Sequence, residues 1–409
     1  MTEVAVEPLP LCGADVAATD GFEVLRGRRP MVLTNPTGVL APRRTLSSGE
    51  TIRLTVAAMV EAGIDVAAVA GPEHGFTGTA QAGLTESDCT DPATGLRVLD
   101  AYTADVAAWQ EMLTSVGADC LVVDIADVGC RFYTYPVLMQ RALTACALAS
   151  VPVIVLDRPN PLGRLADGPV LEPAFASGVG TAPVALQHGL TLGELAAFLD
   201  AEVLPDDAGR SLPSLDVVRV TGWDPDPAAP LSPWVPPSPN IPTRDTALVY
   251  PGAGLLEAVT ASEGRGTTRP FETLGAPWMD HRYAEALAEV NVPGVAVREC
   301  AFTPTFDAFV GRPCRGVMLH VTEPPALRPV LVGFALLHTG FQLYPEFRWR
   351  EDESGSAAAS GGLYWIDKLT GCGWVRPMVD AGASPAEFEA RWQDELGRYE
   401  ERRAPYLLY

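Results

Sequence analysis

Residues 119–135 read DCLVVDIADVGCRFYTY. The run from Cys120 to Val123 is short and apolar, which suits a strand buried on both faces, and it ends in a polar cluster of Asp124, Asp127 and Arg131. The same layout recurs on either side of it. MVLT at 31 leads to Asn35, IDVAAVA at 64 leads to Glu73 and His74, and VPVIVLD at 151 ends in Asp157, Arg158 and Asn160. Helical patterns separate the runs. SSGETIRLTVAAMVEAG opens with a capping box of Ser47 and Glu50 and puts Ile52, Val56, Met59 and Val60 on one face, PVLMQRALTACALAS follows the third run, and TLGELAAFLDAE pairs Thr191 with Glu194 in the same capping relation. This alternation predicts an α/β fold built on a doubly wound, mostly parallel sheet with helices on both faces.

In such a sheet the strand ends lie along one edge, where ligands bind, so four segments deliver polar groups to one cleft. Glu73 sits in GPEHGFTG, residues 71–78, whose glycines let the backbone approach a ligand and whose Pro72 stiffens the turn. A lone Glu there reads as a turn carboxylate that caps a helix or pairs with an arginine; convergence with the other polar strand ends favours a functional role. His74 is either a ligand-binding group or a hydrogen-bonded spacer. Asp127 either binds ligand hydroxyls or holds Arg131 in a salt bridge, and Tyr133 and Tyr135 either stack on a sugar or pack.

The chain has 409 residues, 47% hydrophobic and 20% charged, enough for a large core and for two or three domains. Its formal net charge of −22 argues against nucleic acid or an anionic membrane surface as partner, and leaves room for a small anion held by a few placed arginines. No stretch is long and apolar enough to span a bilayer. MTEVAVEPLPLCGADVAATDGF carries acidic residues where a secretory signal needs a basic start, so a cytoplasmic location is expected. The eight cysteines include no C-x-x-C pair and read as small buried hydrophobes in a reducing compartment. DESGSAAASGG, residues 352–362, reads as a flexible surface loop.

The second half changes character at PWVPPSPNIPT, residues 233–243, which is stiff, extended and suited to a junction between domains spanning 1–245 and 246–409. Asn240 and Trp234 either line the cleft or pack the linker. GAGLLE, residues 252–257, has Glu257 where a dinucleotide fingerprint needs Gly or Ala, so it reads as a helix N-terminus and no nicotinamide cofactor is expected. SEGRGTTRPF, residues 262–271, sets Glu263, Arg265, Thr267, Thr268 and Arg269 among glycines. Two arginines and two hydroxyls suit a grip on a carboxylate or phosphate, or a pin between domains.

VLTNPTG, GPEHGFTG, DIADVGCRFYTY, LDRPNPLG, HGLTLGELA, PWVPPSPNIPT, YPG and SEGRGTTRPFE follow one another in an order that resembles the exo-β-N-acetylmuramidases, from about residue 30 to about residue 320. The resemblance implies a glycoside hydrolase that removes N-acetylmuramic acid from the non-reducing end of peptidoglycan fragments. It also implies a Rossmann-like N-terminal domain followed by a smaller α+β C-terminal domain, a cleft between them and no cofactor. The family's catalytic acid falls on Glu73. Ala126 and Cys130 depart from the family pattern, which bears on fine substrate preference. Members are commonly exported, in contrast to the cytoplasmic expectation.

Glycosidic cleavage ordinarily takes two carboxyl groups. Asp124, Asp127 and Glu263 are candidates for the second, unless the substrate's own 2-acetamido group attacks the anomeric carbon. The lactyl carboxylate of the sugar makes Arg265 and Arg269, then Arg131 and Arg158, candidate clamps. Asn35, His74, Tyr133, Tyr135, Asp157, Asn160, His188, Asn240 and Thr268 complete the expected binding set. The partner is then a small saccharide, with neither nucleic acid nor membrane, and self-association into a homodimer stays open. Rival readings are a metal-dependent hydrolase using His74, His188, Asp124 and Asp127, which lacks H-x-H or H-E-x-x-H spacing, and a sugar-binding module without catalysis.

Overall fold

Successive side chains of a strand point to opposite faces of its sheet, and the central strands of this protein bury both. The computed structural model describes residues 9–41, 52–231, 233–351 and 364–409. Its main strands are β1 (Pro30–Thr34), β2 (Ala68–Gly71), β3 (Cys89–Thr90), β4 (Arg97–Asp100), β5 (Cys120–Asp124), β6 (Val153–Leu156) and β7 (Leu215–Val218). Among the described residues these seven form one sheet in the order β7-β6-β5-β1-β2-β4-β3, parallel throughout except for β3. Met31, Leu33, Ala70, Leu121, Val123 and Val155 enter one core, where helices α3 (Val106–Val116) and α4 (Thr134–Ala149) add Trp109, Leu113, Leu138 and Met139. The alternate residues Val32, Val69, Val122 and Ile154 enter a second core beneath α1 (Gly13–Thr19) and α2 (Thr55–Glu61). Each large apolar side chain so buried contributes about 1.5–3 kcal/mol, which fixes the strand register against a one-residue slip.

The predicted doubly wound sheet is thus present, with local differences. The helix expected from Ser47 starts only at Thr55. Arg53–Leu54 pairs antiparallel with Val39–Leu40, and the Thr55 amide donates to Gly38 O at 2.7 Å, so the backbone before Thr55 is already committed to strand. Ile52 and Val60 are exposed, whereas Val56 and Met59 are buried as expected. Ser47, Glu50 and the loop 352–362 lie outside the described residues. Helix α5 (Leu192–Glu202) carries its expected box: Thr191 Oγ1 accepts from the Glu194 amide at 3.1 Å, and Glu194 Oε2 accepts from the Thr191 amide at 2.9 Å.

After the proline-rich stretch come α6 (Arg244–Ala253), α7 (Arg282–Val290), α8 (Pro329–Leu343) and α9 (Pro385–Arg403). Among the described residues, β8 (Thr273–Ala276), β9 (Val295–Phe302) and β10 (Cys314–Val321) form an antiparallel sheet ordered β8-β10-β9. This half extends the first core: Leu248, Leu274, Val317, Phe334, Phe388 and Trp392 belong to the same cluster as Met31 and Leu121. GAGLLE does not open a helix. Gly252 and Ala253 close α6, and a 3-10 turn, Gly254–Ala258, follows. The reason is the crossing with α8, where a Cβ on Gly252 would lie 1.8 Å from Pro329 O, so glycine is what lets the two backbones touch.

The amphipathic C-terminal helix α9 packs on the body and reaches back to the strand-end loops. Phe388, Trp392 and Tyr399 are buried, the Tyr399 hydroxyl donates to His188 O at 2.7 Å, and Arg403 Nη1 donates to Gly189 O at 2.6 Å.

Candidate active site

The chain runs outward from β1 through β2 to β4, then returns to the other side of β1 with β5, β6 and β7. The crevice beyond the carboxyl ends of β1 and β5 is therefore the topological switch point, the place where open α/β sheets bind ligands. Asn35 follows β1 and Asp127 follows β5, with Glu73 beyond β2 and Arg158 beyond β6.

Glu73 lies against a small pocket whose walls come from both halves of the chain: His74, Tyr133 and Thr134 on one side, Ser238 and Asn240 from the proline-rich stretch, and Tyr250, Arg265 and Phe271 on the other. The carboxylate is 9% exposed, and each oxygen has a partner. Oε1 accepts from the Gly83 amide at 2.6 Å, and Oε2 accepts from the Thr134 hydroxyl at 2.7 Å. An amide only donates, so a proton carried by Glu73 sits on Oε2. Burial, reinforced by the Glu73 charge, pushes the neighbouring Tyr102 hydroxyl up to about 12. His74 adopts a left-handed φ of 73° and its Nδ1 contacts Ala80 O at 2.9 Å, so it both borders the pocket and shapes the turn.

The far wall is electrostatic. Arg265 donates through Nη1 to Glu263 at 2.7 Å and through Nη2 to Glu257 at 2.8 Å, and its guanidinium sits 5.0 Å over the Phe271 ring. Burial raises the Glu263 carboxyl although Arg265 opposes it, and against burial the two carboxylates hold Arg265 protonated above its ordinary range. Arg265 therefore borders the pocket as one member of a buried ion-pair cluster, with Glu263 and Glu257 as its counter-ions and its Nε–H without a hydrogen-bond partner among the described residues. Arg269 is 43% exposed and paired with Glu272 at 3.1 Å, while Thr268 is exposed outside the pocket wall.

The remaining strand-end residues mostly hold the edge together. Asp124 is fully buried, and its Oδ1 takes Arg158 Nε at 2.8 Å and Nη2 at 2.6 Å, while Arg158 keeps a partly exposed edge on a pocket it shares with Asp127. Asp157 accepts from the Thr191 and Tyr409 hydroxyls, each at 2.7 Å, and from the Gly193 and Arg158 amides; burial raises its carboxyl to about 6. Asn160 bridges Leu190 O and the Leu162 amide. Arg131 is not paired with Asp127: its guanidinium donates to the carbonyls of Pro169, Val184 and Leu369, and burial lowers it to about 10. Asn35 and Tyr135 both donate to Pro237 O, which docks the proline-rich stretch on the sheet edge. Trp234 packs that stretch on itself through Ile241 O and also lines a neighbouring pocket with Thr37, Asp127 and Arg158, whereas Asn240 lines the Glu73 pocket.

Asp127 differs from the others. Its Oδ2 accepts from the Gly129 amide at 2.8 Å and from His188 Nε2 at 3.0 Å, while its buried Oδ1 has no hydrogen-bond partner. The Leu190 amide donates to His188 Nδ1, which assigns the ring proton to Nε2. Tyr135, raised first by burial, also feels the charges of both Glu73 and Asp127. The Tyr133 ring packs edge-on against Tyr135 and Tyr250. Among the described residues no three His, Cys, Asp or Glu side chains converge as a metal set: Asp124 is taken by Arg158 and Asp127 by His188.

Thr134, Tyr102 and the Gly83 amide escape sequence reading. Thr134 stands between two tyrosines at a helix start, a signal legible only once Glu73 is known to face it. Tyr102 follows β4, whose four residues, half of them polar, give no apolar run.

The N-terminal model of the family "Exo-beta-N-acetylmuramidase NamZ" matches residues 31–245, and the C-terminal model of that family matches residues 248–409. The chain is 37% identical over 415 aligned positions to the peptidoglycan beta-N-acetylmuramidase NamZ of Bacillus subtilis, covering 100% of this chain and 93% of that protein. Two crystal structures of DUF1343 family proteins from Bacteroides fragilis are similar, each at 28% identity. One superposes with a TM-score of 0.82, covering 99% of this chain and 100% of the other, and the second with 0.71, covering 98% and 99%.

Proposed function

The chain belongs to the exo-β-N-acetylmuramidase family, and on that premise we propose that it is an exo-acting glycoside hydrolase releasing N-acetylmuramic acid from the non-reducing end of peptidoglycan fragments, with Glu73 protonating the leaving oxygen. The observation that carries the role of Glu73 is its seating. Among the described residues no cation pairs with this carboxylate, and its two oxygens are made unequal by Gly83 and Thr134, so that one fixed oxygen bears the proton. For the second carboxyl, Asp124 and Glu263 are each held by a guanidinium, which supports Asp127, whose Oδ1 is without a protein partner. In this reading His188 and Gly129 hold Asp127 in place, and Asn240 and Tyr133 contact the sugar. The eight free thiols favour a reducing compartment, and so action on fragments taken up into the cytoplasm. Among the described residues no helix is long and apolar enough to cross a membrane.

The test is release of 4-nitrophenol from the 4-nitrophenyl β-glycoside of N-acetylmuramic acid, beside the N-acetylglucosamine analogue, by wild type and Glu73→Gln. Turnover of the muramic substrate, and its loss with a disaccharide substrate in Glu73→Gln, is expected. A folded wild type that binds but turns over neither glycoside would return the protein to the sugar-binding reading.

A further inference from the structure

Glu86 takes no part in the chemistry above, yet its carboxylate gathers four hydrogen bonds from one short stretch. It accepts from the Thr77 amide at 3.0 Å, the Thr79 amide at 3.3 Å, the Thr79 hydroxyl at 2.8 Å and the Thr77 hydroxyl. Burial alone would raise this carboxyl, but the donors on Thr77 and Thr79 outweigh it and hold Glu86 below the ordinary range. The backbone is shaped for the contact: Gly75 has φ +84°, and a Cβ there would lie 2.3 Å from the Glu86 carboxyl carbon.

These bonds close a loop that begins at Glu73 and returns to it. The His74 amide donates to Leu84 O at 3.0 Å, the Ala80 amide donates to His74 O at 3.2 Å, and the returning limb rests its Gly83 amide on Glu73 Oε1. Thr85 is tied in turn to Asp100 at 2.9 Å. Much of the loop is solvent-exposed, Leu84 at 59%, so apolar burial does little to hold it. We propose that Glu86 is a positioning residue for Glu73: by bracing the returning limb against Thr77 and Thr79 it keeps the Gly83 amide on Oε1, and so keeps the transferable proton on Oε2. This rests on the reading of Glu73 as the proton donor.

Leaving-group dependence tests it. A nitrophenolate departs with little help from an acid, whereas a sugar alkoxide needs the proton. Removing the brace in Glu86→Ala is expected to lower kcat about tenfold on a disaccharide of N-acetylmuramic acid and N-acetylglucosamine, and less than about threefold on the nitrophenyl glycoside, with KM little changed on either. Thr79→Val, which removes one hydroxyl donor and leaves the backbone in place, should show the same asymmetry at smaller size, and serves if Glu86→Ala does not fold. Equal losses on both substrates, or none, would overturn the proposal. Glu73→Gln is run alongside: if it lacks the asymmetry the acid reading itself fails, and if it shows the asymmetry while Glu86→Ala and Thr79→Val do not, only the role of Glu86 falls.

Discussion

Thr134→Val isolates the other half of the Glu73 environment. The two side chains are nearly the same shape and both are branched at Cβ, so the start of α4 is preserved while the hydroxyl that meets Oε2 at 2.7 Å is lost. A hydrogen bond to a charged group contributes about 1.5–3 kcal/mol, and because Thr134 partners the oxygen assigned the proton, most of that loss should fall on the transition state. The expected fall in kcat on the disaccharide is therefore about one to two orders of magnitude, with KM changed much less. Urea unfolding should show a stability within about 1.5 kcal/mol of wild type, since a single half-buried hydroxyl is removed. Thr134→Ser restores the hydroxyl and should recover most of the rate. If Thr134→Val, folded, turned over the disaccharide within about threefold of wild type, Oε2 would not be the oxygen that delivers the proton. If Thr134→Ser were as slow as Thr134→Val, the hydroxyl would not be the cause.

Arg265→Ala leaves Glu257 and Glu263 facing each other without their shared cation, and breaking such a buried pair should cost about 3 kcal/mol or more. Adding Glu263→Gln should recover part of the loss, and a single variant of wild-type stability in urea would contradict the arrangement. Asp157 makes a pH prediction. Its folded carboxyl is raised from 3.8 to about 6, so its contribution to stability is fully present below about pH 4 and is lost as the pH climbs through about 6, because the unfolded chain releases this proton first. The rise corresponds to about 3 kcal/mol across that window, and Asp157→Asn should flatten the fall of unfolding free energy with pH by about that amount. Parallel pH profiles for the two proteins would rule it out.

The sheet and its polar strand-end edge were legible because apolar runs such as CLVV and VIVL are short, doubly buried and closed by charge, a pattern that few other structures satisfy. Period-two alternation then divides Val122 from Leu121 and Val123 between two cores without any tertiary information. The position of Glu73 at a strand end was legible for the same reason. Its surroundings were not, because they depend on chain segments far apart in sequence. Thr134 is recruited by a helix after β5, and Arg265 comes from the other half of the chain. The arginines show why residue type alone misleads. A guanidinium is equally suited to a substrate carboxylate, a protein carboxylate or a backbone carbonyl, and what it meets is decided by packing. Arg158 meets Asp124, Arg265 meets two glutamates, and Arg131 meets only carbonyls that join β5's loop to residues near Leu369. With those cations already engaged, a lactyl carboxylate entering the pocket would face Glu73 and an Arg265 whose charge is more than balanced by Glu257 and Glu263. The partly exposed Arg269, with a single carboxylate partner, precedes Phe271 of that wall in the chain but does not itself line the pocket, so a guanidinium in a suggestive motif need not reach the site the motif builds.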